Sequence, residues 1–162
     1  MKNLSLFIAT VALLFAACGS ENTHLVDTSL LKYNMPINIM APADAVFDNS
    51  DLGDYNSLDV QDTLGYRLTI ESAVVGSLEK DLVKLLEEEK TLVKADSFFV
   101  AFEKETIDGF IYKISIDDIE SYDFKYFRMV GDRKYTFKGS LVGGFHKDLK
   151  VVENMYKAVQ PR

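Results

Sequence analysis

Four sets of residues carry side chains that could do chemistry. The acidic run Asp48-Asn49-Ser50-Asp51-Leu52-Gly53-Asp54, continued to Asp59, puts Asp48, Ser50, Gly53 and Asp59 at the first, third, sixth and twelfth positions of a calcium-binding loop. Leu52 stands at the fifth, where an oxygen ligand is needed, so a solvated acidic loop is expected instead. Asp117, Asp118, Glu120 and Asp123 offer paired carboxylates of the kind that cleave glycosidic bonds. They cluster about an expected turn, where Asp commonly serves the backbone. The only histidines are His24 and His146, too few for a metal cluster, and His146 is expected in solvent at the start of the last helix. Cys18 is the single cysteine.

Nucleophile and phosphate motifs are missing from the remainder. There is no Gly-x-Ser-x-Gly elbow, and Gly143-Gly144 lacks the wider motif and the Lys-Ser or Lys-Thr of a phosphate cradle. No catalytic, cofactor-binding or metal-binding residue is therefore assigned, and no cofactor is expected. The chain is acidic, with a formal charge of −7, and its basic and acidic residues are interleaved. That argues against nucleic acid, whose binders gather Lys and Arg on one face.

Cys18 follows a leader. Lys2 supplies a positive start, Leu6 to Ala17 is apolar except for Thr10, and the run closes on Ala16-Ala17 before the polar Gly19-Ser20-Glu21-Asn22-Thr23. The apolar run is short of the roughly 20 residues a spanning helix needs, which makes 1–17 a signal peptide. A lone thiol in an oxidising compartment has no partner for a disulfide, so acylation accounts for it better than redox chemistry. Phe15-Ala16-Ala17-Cys18 resembles the lipobox of bacterial lipoproteins, with Ala16, Ala17 and Cys18 matching and Phe15 where Leu is usual. The resemblance implies cleavage before Cys18, lipidation of its thiol and acylation of the new amine with palmitate-class chains. It also implies a cell-envelope location, and Gly19, in place of an inner-membrane retention Asp, favours the outer membrane.

Beyond the leader the expected organisation is a flexible lipidated tether over 18–33 and one domain over 34–162. The tether shows no sustained period of two or 3.6 residues. Ile37 and Ile39 suggest a first strand ended by Ala41-Pro42, and Asp44 to Asp54 reads as loop. Leu58-Asp59-Val60 and Tyr66 to Ile70 suggest two strands paired around Gly65. Ser77 is the expected cap of a helix bearing Leu78, Leu82, Leu85 and Leu86.

From Ser97 the period is two. Phe98, Val100 and Phe102 are expected to face one way, with Phe99 and Ala101 on the other face. Phe110 to Ile116, Tyr122 to Tyr126 and Tyr135 with Phe137 follow as a meander across short turns. Leu149, Val152, Tyr156 and Val159 return to helical spacing.

The fold class expected is α+β, an antiparallel sheet of about six strands packed with two helices in a two- or three-layer sandwich. Tyr135-Thr136-Phe137-Lys138-Gly139, a glycine loop and a closing amphipathic helix resemble the PsbP/Mog1-like fold, whose members are mostly binding or assembly factors. The function this implies is a lipid-anchored binding or assembly module for an envelope protein or small ligand, not an enzyme. The alternative is an envelope hydrolase working through carboxylates. Phe127 and Met129 share the second face of their strand. An apolar second face must be covered, by a helix on each side or by a partner in a groove.

Overall fold

Strict alternation of apolar and polar residues builds the middle of the molecule. The computed structural model describes residues 24–76, 81–139 and 145–161. In chain order these form β1 (Leu25–Ser29), a 3-10 turn (Leu31–Tyr33), β2 (Asn38–Pro42), β3 (Val46–Asp51), β4 (Tyr55–Gln61) and β5 (Arg67–Val74). There follow α1 (Leu82–Lys94), β6 (Phe99–Glu105), β7 (Gly109–Ile116), β8 (Ile119–Val130), β9 (Arg133–Gly139) and α2 (Leu149–Ala158). Seven strands make one antiparallel sheet in the order β3-β4-β5-β9-β8-β7-β6, while β1 and β2 pair as a separate hairpin. The fold is α+β as expected, with the strands divided seven and two.

Both faces of the sheet are apolar at β7 and β8, so both are covered. Phe124 and Tyr126 of β8 join Leu58, Val60, Leu68, Ile70, Tyr135 and Phe137 in one core, closed by the β1-β2 hairpin and by Val152, Met155, Tyr156 and Val159 of α2. On the opposite face Phe127 joins Phe110, Tyr112 and Ile114 beneath Leu86 and Val93 of α1. Lys90 reaches Glu105 of β6 at 2.7 Å and Lys125 of β8 reaches Glu89 at 2.6 Å, fixing the direction of α1 over the sheet. The layers are hairpin plus helix, sheet, and helix.

The turn between β6 and β7 anchors α2. Thr106 Oγ1 lies 2.6 Å from the Tyr156 phenol and donates to Asp108 Oδ1 at 2.7 Å, which leaves the phenol to donate to Thr106. A Cβ on Gly109 would sit 2.8 Å from that phenol and 2.9 Å from Tyr126 Cα, so glycine is what allows the approach.

Several expectations are corrected. The domain begins near Leu25 rather than at 34, because β1 pairs with all of β2, Leu30 is wholly buried and Tyr33 stacks on Phe47 at 5.4 Å. The first strand ends at Ala41-Pro42 as expected, but both residues belong to it. Asp44 to Asp54 is not a loop throughout, since β3 runs through it as an edge strand whose side chains are mostly exposed. The α1 cap is Asp81, which accepts from the Val83 and Lys84 amides; Ser77 and Leu78 lie outside the described residues. In β6, register shifts between Phe99 and Ala101 and between Phe102 and Lys104 break the alternation. Phe99 and Phe102 thus share the α1 side, while Phe98 and Val100 remain about half exposed.

The burial of α2 predicts the outcome of two substitutions. Val152 is fully buried and Lys150 exposed. Val152→Asp should forfeit about 1.5 kcal/mol or more of transfer energy and add the cost of an unpaired buried carboxylate. Lys150→Asp should change stability little. Chemical denaturation midpoints of the two variants check this, Val152→Asp falling well below the wild type and Lys150→Asp staying near it.

Candidate functional site

The acidic residues do not converge. Asp48 and Asp59 oppose one another across β3 and β4, and Asp51 is occupied in holding the turn, accepting from the Gly53 amide at 2.9 Å and the Asn34 side chain at 2.8 Å. Those two donors keep the Asp51 carboxyl below the usual carboxylate range. Asp117 and Asp118 both have positive φ in the β7-β8 turn. Glu120 pairs with Lys113 at 2.6 Å, and its place in the alternation of β8 puts it on the opposite face from Asp123. Among the described residues, no group of three His, Cys, Asp or Glu is placed to hold a metal ion.

Asp123 is not a turn residue. It is buried in β8 and accepts from its neighbour Phe124 N–H at 2.7 Å, from Gly139 N–H at 2.8 Å and from the Tyr112 phenol at 3.1 Å. A Cβ on Gly139 would run into the Asp123 carboxylate, so glycine there lets the strand approach it. Burial pushes the Asp123 pKa up against these three donors and against the pull of His146. His146 departs from its expected solvated place at the helix start. It bridges to Tyr122 on β8, is partly buried, and is pushed below the ordinary histidine range chiefly by desolvation, while Asp148 caps α2.

A groove of about 360 Å³ lies between β2 and the end of α2. One wall is Pro36, Ile37, Asn38, Ile39 and Met40; the other is Ala158, Gln160 and Pro161, with Asp27 and Arg128 also lining it. Leu30 N–H donates to Ile37 C=O at 3.0 Å, which fixes the hydrogen-bonded phase of the hairpin. Ile39 and Ala41 then face β1, and Asn38, Met40 and Pro42 turn their peptide groups to the outer edge. Pro42 is tolerated because the N–H it lacks would point away from the ladder. Tyr66 donates its phenol proton to Met40 C=O at 3.2 Å. Asn38 N–H, Asn38 C=O and Met40 N–H have no partner among the described residues.

Arg128 begins a row of polar residues beneath the hairpin. It opposes Tyr135, which opposes Ser72, which opposes Asn56. Ser72 accepts from Arg133 and Asn56 donates to Tyr33 C=O, but the Tyr135 phenol and Asn56 Oδ1 are buried without a partner among the described residues. This row escaped the sequence reading. Its signal is there: Asn56 and Ser72 fall in phase with Leu58, Val60, Leu68 and Ile70, polar residues at core positions.

A smaller cleft of about 170 Å³ lies on the other face, where Lys125, Lys134 and Lys138 meet Glu71 and Glu89. Two of these lysines are already paired, Lys138 with Glu71 and Lys125 with Glu89, each at 2.6 Å. Cys18 and the leader lie outside the described residues. No helix among the described residues is long and apolar enough to cross a membrane. No protein-family model and no curated protein matches this chain.

Asp123 makes stability depend on pH in a defined direction. Its folded pKa is raised, so the stabilisation it gives is present below the unfolded carboxylate value near 4 and is lost as pH rises through the folded value. His146 titrates in the opposite sense, and Asp123→Asn removes the first contribution while taking away the carboxylate that holds the His146 pKa up, which works in the same direction. Unfolding free energies measured from pH 4 to pH 7 should show the wild type losing stability relative to Asp123→Asn as pH increases.

Proposed function

We propose that this protein is a lipid-anchored binding module of the bacterial cell envelope, held to the membrane through Cys18 and offering its groove to a protein or small ligand. The observation that carries the anchor is the apolar leader ending on Ala16-Ala17-Cys18 in a chain with no second cysteine. Two or more acyl chains hold a protein firmly, at roughly 0.8 kcal/mol for each buried methylene. The β1 strand starts seven positions after Cys18, which keeps the domain close to the bilayer surface.

Binding rather than turnover is supported by the site geometry. The carboxylates offered for hydrolysis are apart: Asp117 and Asp118 lie in the β7-β8 turn, Glu120 is paired with Lys113 on the face opposite Asp123, and Asp123 is enclosed. The groove beside β2 is larger than the opposite cleft and has backbone donors and an acceptor along one wall, with Arg128 at its lining.

Cys18→Ala tests the anchor. The variant should lose the lipid mass, remain uncleaved or become soluble, and leave the detergent phase on phase partitioning. A variant that keeps the wild-type mass and partitions wholly with detergent rules the lipoprotein reading out.

A further inference from the structure

We infer that the groove binds an extended peptide bearing a carboxylate, added as a third strand against the outer edge of β2; this rests on the binding reading above and specifies its ligand class. The first observation is the lining itself. A pocket over one face of a strand meets alternate residues, whereas this one meets five in succession, Pro36 to Met40, so it runs along the strand edge. That edge presents Asn38 N–H, Asn38 C=O and Met40 N–H, the groups through which strand addition works. Pro36 and Pro42 bracket it and limit the added ladder to the few residues between them.

The second observation is charge. Arg128 lines the groove and makes no ion pair within 4.0 Å among the described residues, while the nearby Asp27 carboxylate already accepts from Asn38 Nδ2 at 2.9 Å. The partnerless Tyr135 phenol lies on Arg128's cross-strand neighbour. A guanidinium offers a fork of donors suited to a carboxylate, so an acidic side chain or peptide C-terminus complements this end of the groove. The third observation is contrast with the edges of the large sheet. β3 is edged by Asp48 and Asp51 and β6 is bent by two register shifts, both of which discourage pairing, whereas the β2 edge has neither device.

The test uses the full-length protein and a phage-displayed library of random heptapeptides. Selected sequences should share an Asp, a Glu or a free C-terminus. A synthetic peptide made from them should shift the amide resonances of Asn38 and Met40 more than that of Ile39, whose N–H lies in the ladder. Arg128→Gln should weaken that peptide by about ten-fold or more. Replacing the peptide's own acid by its amide should do the same, and this arm holds even if Arg128→Gln fails to fold. The inference is overturned if no peptide is selected, if neither Arg128→Gln nor the peptide's acid-to-amide replacement alters affinity, or if the shifts fall on Leu25 and Asp27 of the β1 edge. It is also overturned if β2 pairs only with a second copy of the chain. Peptides that bind elsewhere would remove the groove while leaving a binding module, and a Cys18→Ala protein that stays lipidated would remove the anchor while leaving the groove.

Discussion

Two-sided burial of β8 is the constraint on which the other elements depend. Its twelve residues send Phe124 and Tyr126 into one core and Phe127 into the other, so neither face of its sheet can be left in water. At roughly 25 cal/mol per Å² of apolar surface, aromatic rings of this size make exposure of either face costly. One helix is enough on the α1 side because the apolar patch there is confined to β6, β7 and β8. The opposite patch spreads from β4 across β5, β9 and β8 to Ile111 of β7, wider than one helix can shield, and the β1-β2 hairpin shares the task with α2. The groove is the seam between those two covers.

How much could be read in advance follows from where side chains repeat a period. The meander from β6 to β9 and the closing helix were legible because Tyr112 and Ile114, Phe124 and Tyr126, and Tyr135 and Phe137 alternate, and Val152 and Tyr156 are one helical turn apart. Strand β3 was not, because Phe47 is its one residue packed on the core and the Asp48, Asn49, Ser50 and Asp51 that follow are exposed, leaving no apolar phase to detect. Strand β1 was hidden for a related reason: Asp27 and Ser29 face out, and its partner β2 is recognised by Ile37 and Ile39 alone. The phase of β6 was lost at its two register shifts, which no pattern of period two can express.

The groove was illegible for a different reason. Its wall is backbone, and peptide groups have no letter in the sequence; only the hydrogen bond from Leu30 to Ile37 reveals which of them face outward. Asp123 likewise carried no mark of burial, since the same residue type next to Asp117 and Asp118 suits a turn. Its three donors, Phe124 N–H, Gly139 N–H and the Tyr112 phenol, come from three strands that meet only in the fold. Burial and the neighbouring Asp123 carboxylate push the Tyr112 phenol well up, so it stays a donor to that carboxylate.

A domain whose large sheet has both edges guarded has a limited choice of docking geometry. The charged edge β3 and the irregular edge β6 oppose sheet-to-sheet pairing, while β2 keeps donors and an acceptor at the groove. Native-state amide hydrogen exchange tests this arrangement most directly. The account predicts that Phe124 and Tyr126 of β8 exchange only through global unfolding, and that within β2 the Ile39 and Ala41 amides are protected while those of Asn38 and Met40 exchange far faster. Uniform protection along β2, or β8 amides no slower than those of β3, would contradict it.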